Sequence, residues 1–202
     1  EMLASTFAVM ALKSAQLSEL SFSPAVASNA LQFFTQSTNE NGLRGENPSR
    51  AEIAGATIAR IFFRRERGDT RVVGAAAWLT TQKPDWAQQD FLGWYLTSLA
   101  LFQVDGPDGS CWKAWHEPMK SVLLLNHAKG GSWSVGNEAV YPTALAAMTM
   151  EVYYRYANVF GGAGGAGKNK YDVPLLGAPP VRLHFPDTIF WTPSMVTDGA
   201  GK

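Results

Sequence analysis

His127-Ala-Lys-Gly-Gly-Ser-Trp133, followed eight residues on by Tyr141-Pro-Thr143-Ala-Leu-Ala146, is a turn that ends on a bulky ring and leads into a helix of small residues carrying one threonine. The arrangement occurs twice upstream. Gln36-Ser-Thr-Asn-Glu-Asn-Gly-Leu43 precedes Thr57-Ile-Ala59, and Gln82-Lys-Pro-Asp-Trp86 precedes Thr97-Ser-Leu-Ala100. The closing residues Leu43, Trp86 and Trp133 stand 43 and 47 residues apart. Thr6, Thr57, Thr97 and Thr143 stand 51, 40 and 46 apart. A unit near 45 residues holding two helices is a stacked hairpin repeat, in which each unit hides its apolar face against its neighbours.

Working outward, seven segments carry the 3.6-residue apolar period: 3–17, 24–36, 48–65, 69–82, 90–104, 112–127 and 139–158. Ser23-Pro24 and Asn47-Pro48 read as a cap followed by proline, where the missing N–H falls in a first turn that has no partner for it. Asp69 and Asp90 can cap by accepting free N–H groups. Gly68 and Gly161-Gly162 are stops. Pro118 either kinks the sixth helix or marks its start. Small residues allow close backbone approach, so the odd-numbered, Thr/Ala-bearing helices suit an inner layer and the even-numbered ones an outer layer. Leu43, Trp86 and Trp133 then close each hairpin by packing under the next inner helix. Burying one such indole is worth roughly 2–4 kcal/mol.

Composition narrows the classes. Apolar residues make up 46% of the 202 and charged residues 17%, which excludes a disordered chain. Seventeen basic against seventeen acidic residues give zero net charge, whereas nucleic-acid binders carry a basic excess. No apolar run has the length of a transmembrane helix. Cys111 is the single cysteine, so neither an internal disulfide nor a cysteine zinc cluster can form. The chain is amphipathic from Leu3, with no signal-peptide pattern at its start, and ends on Asp198-Gly-Ala-Gly-Lys202; the expectation is a piece of a longer protein.

Lys129-Gly-Gly-Ser-Trp133, Tyr141-Pro-Thr-Ala-Leu-Ala146 and Glu151-Val-Tyr-Tyr-Arg-Tyr156 together resemble the squalene-cyclase/prenyltransferase repeat. Trp94-Tyr-Leu-Thr-Ser-Leu-Ala-Leu-Phe-Gln103 fits the preceding unit of that pattern. The resemblance covers residues 3–160 and implies an all-α domain, an α/α toroid of alternating inner and outer helices. A closed ring of that family has more helices than seven, so the expected fold is a partial toroid: an incomplete ring, an open arc or half of a split domain.

Residues 161–170 (Gly161-Gly-Ala-Gly-Gly-Ala-Gly167 and on) read as a glycine-rich linker. Residues 171–202 are proline-rich, with β-like runs Val181–Phe185 and Thr188–Trp191, and read as an extended tail or the start of a truncated β domain. Within them, Phe185-Pro-Asp-Thr-Ile-Phe-Trp191 with Val196-Thr-Asp198 is similar to a strand segment of the macroglobulin/complement family. That family's thioester domain is an α/α toroid, although there the strand segment precedes it. The family's Cys-Gly-Glu-Gln thioester has only Arg44-Gly45-Glu46-Asn47 as a counterpart here, so no thioester can form.

The candidate chemistry is thin. Gly162–Lys168 matches the start of a phosphate loop, but Asn169 replaces the Ser/Thr and a helix precedes it, so it reads as linker. Asp85, Asp90, Asp105 and Asp108 are scattered over loops and caps, without the acid cluster of a cyclase. Cys111 with Asp108 and His116 lacks the prenyltransferase metal spacing and reads as a small filler, so no metal or cofactor is expected. His116, His127 and His184 read as solvated or capping. Arg60, Arg64, Arg65 and Arg67 sit at a helix end, where positive charge is favoured, with an anion site as the alternative. The candidate binding cluster is an inner aromatic/acid set of Trp94, Tyr95, Tyr141, Glu151 and Tyr154. Its alternative is helix packing, with Glu151 and Arg155 as an i,i+4 pair.

The expected function is a non-catalytic helical interaction domain from a larger macroglobulin-like or repeat-containing envelope or secreted protein, its location implied by the resemblance. Its partners would be other domains of the parent chain or another protein, not nucleic acid, and the isolated piece would self-associate. A terpenoid-cyclase/prenyltransferase-like enzyme fragment and a glycan- or lipid-binding module are the alternatives.

Overall fold

The computed structural model describes residues 1–64 and 68–155. The linker and tail readings lie outside them, as do His184, Arg65, Arg67 and the side chains of Arg64, Tyr154 and Arg155. The described residues form an all-α domain of seven helices without a β-sheet: α1 (Met2–Leu17), α2 (Pro24–Gln36), α3 (Arg50–Arg64), α4 (Thr70–Thr81), α5 (Phe91–Asp105), α6 (Ser110–Leu125) and α7 (Val140–Arg155).

Helix starts follow local chemistry. Asp69 accepts from the Arg71 N–H (2.9 Å) and Asp90 from the Gly93 N–H (3.0 Å). Ser23 caps α2 more loosely, at 3.4 Å from the Ala25 N–H. Pro48 is not the first residue of α3. The first intrahelical bond goes to the Ser49 carbonyl, so Asn47-Pro48 belongs to the approach and the helix opens two residues later. Pro118 lies inside α6. Its missing N–H leaves the Ala114 carbonyl without the usual partner, and the Lys83 ammonium donates to that oxygen at 2.9 Å.

The odd helices pack in chain order, α1 on α3, α3 on α5 and α5 on α7, while α2 lies against α1 and α3, α4 against α3 and α5, and α6 against α4 and α5. Burial follows this order. Ile53 through Phe62 of α3 are all buried, as is nearly all of α5 from Phe91 to Gln103. These two central helices are therefore apolar or small on most sides, with Arg60 and Gln103 as buried polar exceptions. By contrast α1 buries one stripe, Met2, Thr6, Val9 and Lys13. In α7 the stripe is Pro142, Leu145, Ala146, Thr149 and Val152.

Buried hydroxyls accompany the small residues. Thr6 and Thr57 donate to the carbonyls of Met2 (3.0 Å) and Ile53 (2.8 Å) one turn back. A Cβ at Gly55 would collide with the Thr6 hydroxyl and lie 3.0 Å from its Cβ, so α1 and α3 cross there at close range. Gly55→Ala is expected to cost about 1–3 kcal/mol of stability, with part of it restored by Thr6→Ala in the double variant, as read by urea denaturation.

The repeat is visible in backbone geometry. In the α2–α3 turn the Asn39 N–H donates to the Leu43 carbonyl and the Gly42 N–H to that of Asn39; in the α6–α7 turn Ala128 bonds Ser132 and Gly131 bonds Ala128 in the same way. Gly42 and Gly131 occupy the left-handed region, at φ +75° and +78°. This equivalence sets Leu43 level with Ser132, one residue before Trp133. The shorter α4–α5 connection closes on Trp86, whose ring meets Phe91 and Trp94 at 5.8 and 6.3 Å. Trp133 donates from Nε1 to the Leu123 carbonyl (2.9 Å), and its backbone is bonded on both sides by the Thr143 hydroxyl (3.0 Å each). Trp86 and Trp133 thus each tie a turn to the odd helix that follows, and Leu43 packs against the core.

Candidate functional site

A cavity in the described helices lies between α5, α6 and α7. The turn from α6 to α7 is held by Trp133, and beyond it the two helices diverge around this space of about 320 Å³. One wall is a stripe of α6: Trp112, His116, Met119 and Leu123, spaced as one helical face. Met150, Thr149 and Tyr153 of α7 form the opposite side, with Ser98 of α5 contributing a buried hydroxyl. Exposed Lys113, Glu117 and Lys120 line the mouth.

Its polar groups have specific states. The Thr149 hydroxyl donates to the Leu145 carbonyl (2.7 Å). Ser98 accepts from Trp115 Nε1 at 2.8 Å, leaving its own proton for another acceptor. The His116 ring stacks on Trp112, centroids 4.5 Å apart at 21°, and is half-buried. Burial pushes the His116 pKa below the ordinary histidine value of about 6.5, with Glu117 opposing and Lys120 reinforcing the shift. The native state therefore binds this proton less readily than the unfolded chain does. His116 supports stability above the ordinary histidine range and opposes folding as pH falls through its lowered value. NMR titration of the ring is expected to show a midpoint below 6.5, and His116→Gln to flatten the acid limb of a stability–pH profile.

Of the residues singled out from sequence, Trp94 and Tyr95 are buried in α5, the Trp94 ring tilted 56° against Phe91 with centroids 5.0 Å apart. Tyr141 is exposed in the first turn of α7 and Glu151 is exposed farther along it. Arg60 is 2% exposed; it donates to the Phe34 carbonyl (2.9 Å), the Thr38 hydroxyl (2.6 Å) and the Ala56 carbonyl (3.2 Å). A cation there meets the C-terminal end of α2, where carbonyls are unpaired. His127 is exposed, its Nδ1 2.7 Å from the Ala128 carbonyl.

Three of the four aspartates are taken up by backbone. Asp85 accepts from the Ala87 N–H (3.0 Å). Asp90 combines its cap with a 3.2 Å ion pair to Arg50. Asp105, the last residue of α5, caps α6 across the turn by accepting from the N–H groups of Cys111 (2.7 Å) and Trp112 (3.2 Å). Asp108 is exposed, 3.7 Å from Lys113 Nζ. Cys111 is half-buried, and burial together with the Asp105 carboxylate raises its thiol pKa, so it is held protonated. Among the described residues no three His, Cys, Asp or Glu side chains are placed to hold a metal. No described helix is long and apolar enough to cross a membrane.

From sequence His116 reads as solvated or capping, because a lone histidine on a helix carries no sign of what faces it. Ser98 carries no sequence signal, because its exposure to a cavity depends on the separation of α6 from α7. Comparison with protein-family models, curated proteins and solved structures finds no match.

Proposed function

We propose that this chain is a non-catalytic interaction domain of helical-repeat type, a partial α/α toroid with the odd helices as its inner layer, which works by packing its two end helices against protein. The observation that carries this reading is the exposed side of α1 and α7. On α1, Ala4, Phe7, Ala8, Ala11 and Leu17 are exposed, and from Ala4 to Leu17 no exposed residue is charged. On α7 the exposed set is Val140, Tyr141, Ala144, Ala147, Glu151 and Tyr153. A helix facing water ordinarily carries charge on that side. Small and apolar residues at helical spacing suit close approach of another helix, as Gly55 and Thr6 show between α1 and α3. In the parent protein, here read as macroglobulin-like or repeat-containing and of the envelope or secreted class, that neighbour would be a further domain or a partner protein.

Among the described residues nothing covers these faces, and in the purified sample a second copy can dock on them. Light scattering over rising concentration is expected to show a mass above the monomer, returning to monomer in Phe7→Lys/Val140→Glu. A constant monomer mass across the range overturns the reading.

A further inference from the structure

We infer that the cavity between α5, α6 and α7 is a binding site for a short alkyl carboxylate, its head at His116 and Lys120 and its chain among Trp112, Met119, Leu123 and Met150. Three observations lead there, none of which depends on the end-face reading.

The first is size and lining. At roughly 30 Å³ per heavy atom in a condensed phase, 320 Å³ holds about ten atoms, the size of octanoate. The lining is mixed: Trp112, Met119, Leu123 and Met150 form its apolar part, and the two methionines supply unbranched, adaptable walls. The space opens to the surface between exposed Lys113, Glu117 and Lys120, and its volume sits at the lower edge of ordinary ligand pockets.

The second is hydrogen bonding. The His116 ring is fixed against Trp112, but neither ring nitrogen has a hydrogen-bond partner among the described residues. Neutral imidazole keeps one N–H donor, and here it borders the cavity. Ser98, 2% exposed, accepts one bond, and among the described residues its own proton has no acceptor. Both walls therefore present donors, which suits an acceptor-rich ligand.

The third is charge. Among the described residues Lys120 makes no ion pair, and Lys113 reaches the exposed Asp108, at 3.7 Å. Glu117 stands between them on the helix, so the mouth carries two ammonium groups against one lining carboxylate. An anionic head beside Lys120 and away from Glu117 is favoured, and an alkylammonium is not.

The experiment is calorimetric titration of the full chain at low salt with octanoate, 1-octanol and octylammonium, all below their micellar concentrations. Octanoate is expected to bind at one site, about tenfold tighter than octanol, with octylammonium weakest. Lys120→Glu, an exposed change that leaves the core intact, is expected to weaken octanoate about tenfold and leave octanol unchanged. Met150→Trp, which fills the space, is expected to abolish both. Equal affinity for the three ligands, no binding, or binding indifferent to both substitutions overturns the assignment. Vesicles of neutral phospholipid with embedded long-chain fatty acid form a further arm: the cavity is too short for such chains, so binding to them as tight as to free octanoate also overturns it.

Discussion

Gly42→Ala is expected to lower the unfolding free energy by about 3 kcal/mol or more, because two independent penalties coincide. Gly42 sits at φ +75°, where a side chain is strained, and a Cβ there would run into the Arg71 carbonyl of α4. That oxygen is backbone and cannot turn aside. The same face of the turn is met by Gly74, whose Cβ would lie 2.6 Å from the Asn41 carbonyl. The α2–α3 turn and α4 therefore touch backbone to backbone, with a glycine on each side. Gly45 supplies the control: it has φ +66°, but nothing lies within 4 Å of its Cβ position. Gly45→Ala should cost only the conformational part, about 1–2 kcal/mol. Urea denaturation of the two variants separates the terms, and equal losses would show that the close approach contributes nothing.

Trp115→Ala should be comparably severe, about 3–5 kcal/mol. The indole is fully buried, bonds Ser98 through Nε1 and lies under the Arg50 guanidinium, 5.7 Å from it. Arg50 in turn pairs with Asp90 at the start of α5, so one ring supports three helices. A finer test uses phenylalanine. Trp115→Phe removes a made hydrogen bond and leaves Ser98 without its donor, costing about 1–3 kcal/mol beyond the lost area. Trp94 is equally buried, but among the described residues its Nε1 has no partner. Trp94→Phe therefore removes a donor that is already unsatisfied and should be distinctly milder. Thermal and denaturant unfolding rank the pair; a larger loss at Trp94 would contradict the hydrogen-bond assignments.

These contrasts mark the boundary between local and non-local information. The seven periodic segments coincide with the seven helices to within about two residues at each described end, because apolar period, caps and stops act within a turn or two of their own position. Trp86 and Trp133 were legible as turn anchors from recurrence alone. Pro118 was ambiguous in isolation. It is tolerated inside α6 because Lys83, thirty-one positions earlier along the chain from Ala114, reaches the carbonyl it leaves open. Asp105, one position past the 90–104 period, is the last residue of α5 and acts as the cap of α6. The candidate cluster shows the same divide. Trp94 and Tyr95 share the aromatic character of Tyr141, but α5 is surrounded on every side and α7 is not, so two are core and one is exposed.

What the amino-acid order settled was the inventory of rods: how many, where they start and stop, and that they recur in pairs. Those properties follow from interactions spanning a handful of residues, so they can be read along the chain. The four odd helices read alike, and only the assembled fold makes α3 and α5 central and leaves α1 and α7 with one buried stripe each. The threefold tie of Trp115, the backbone contact at Gly42 and Gly74, and the opening that gives Ser98 and His116 a common cavity exist only once the rods are assembled. They depend on ångström-scale separations between segments distant in sequence, and no local pattern encodes a separation.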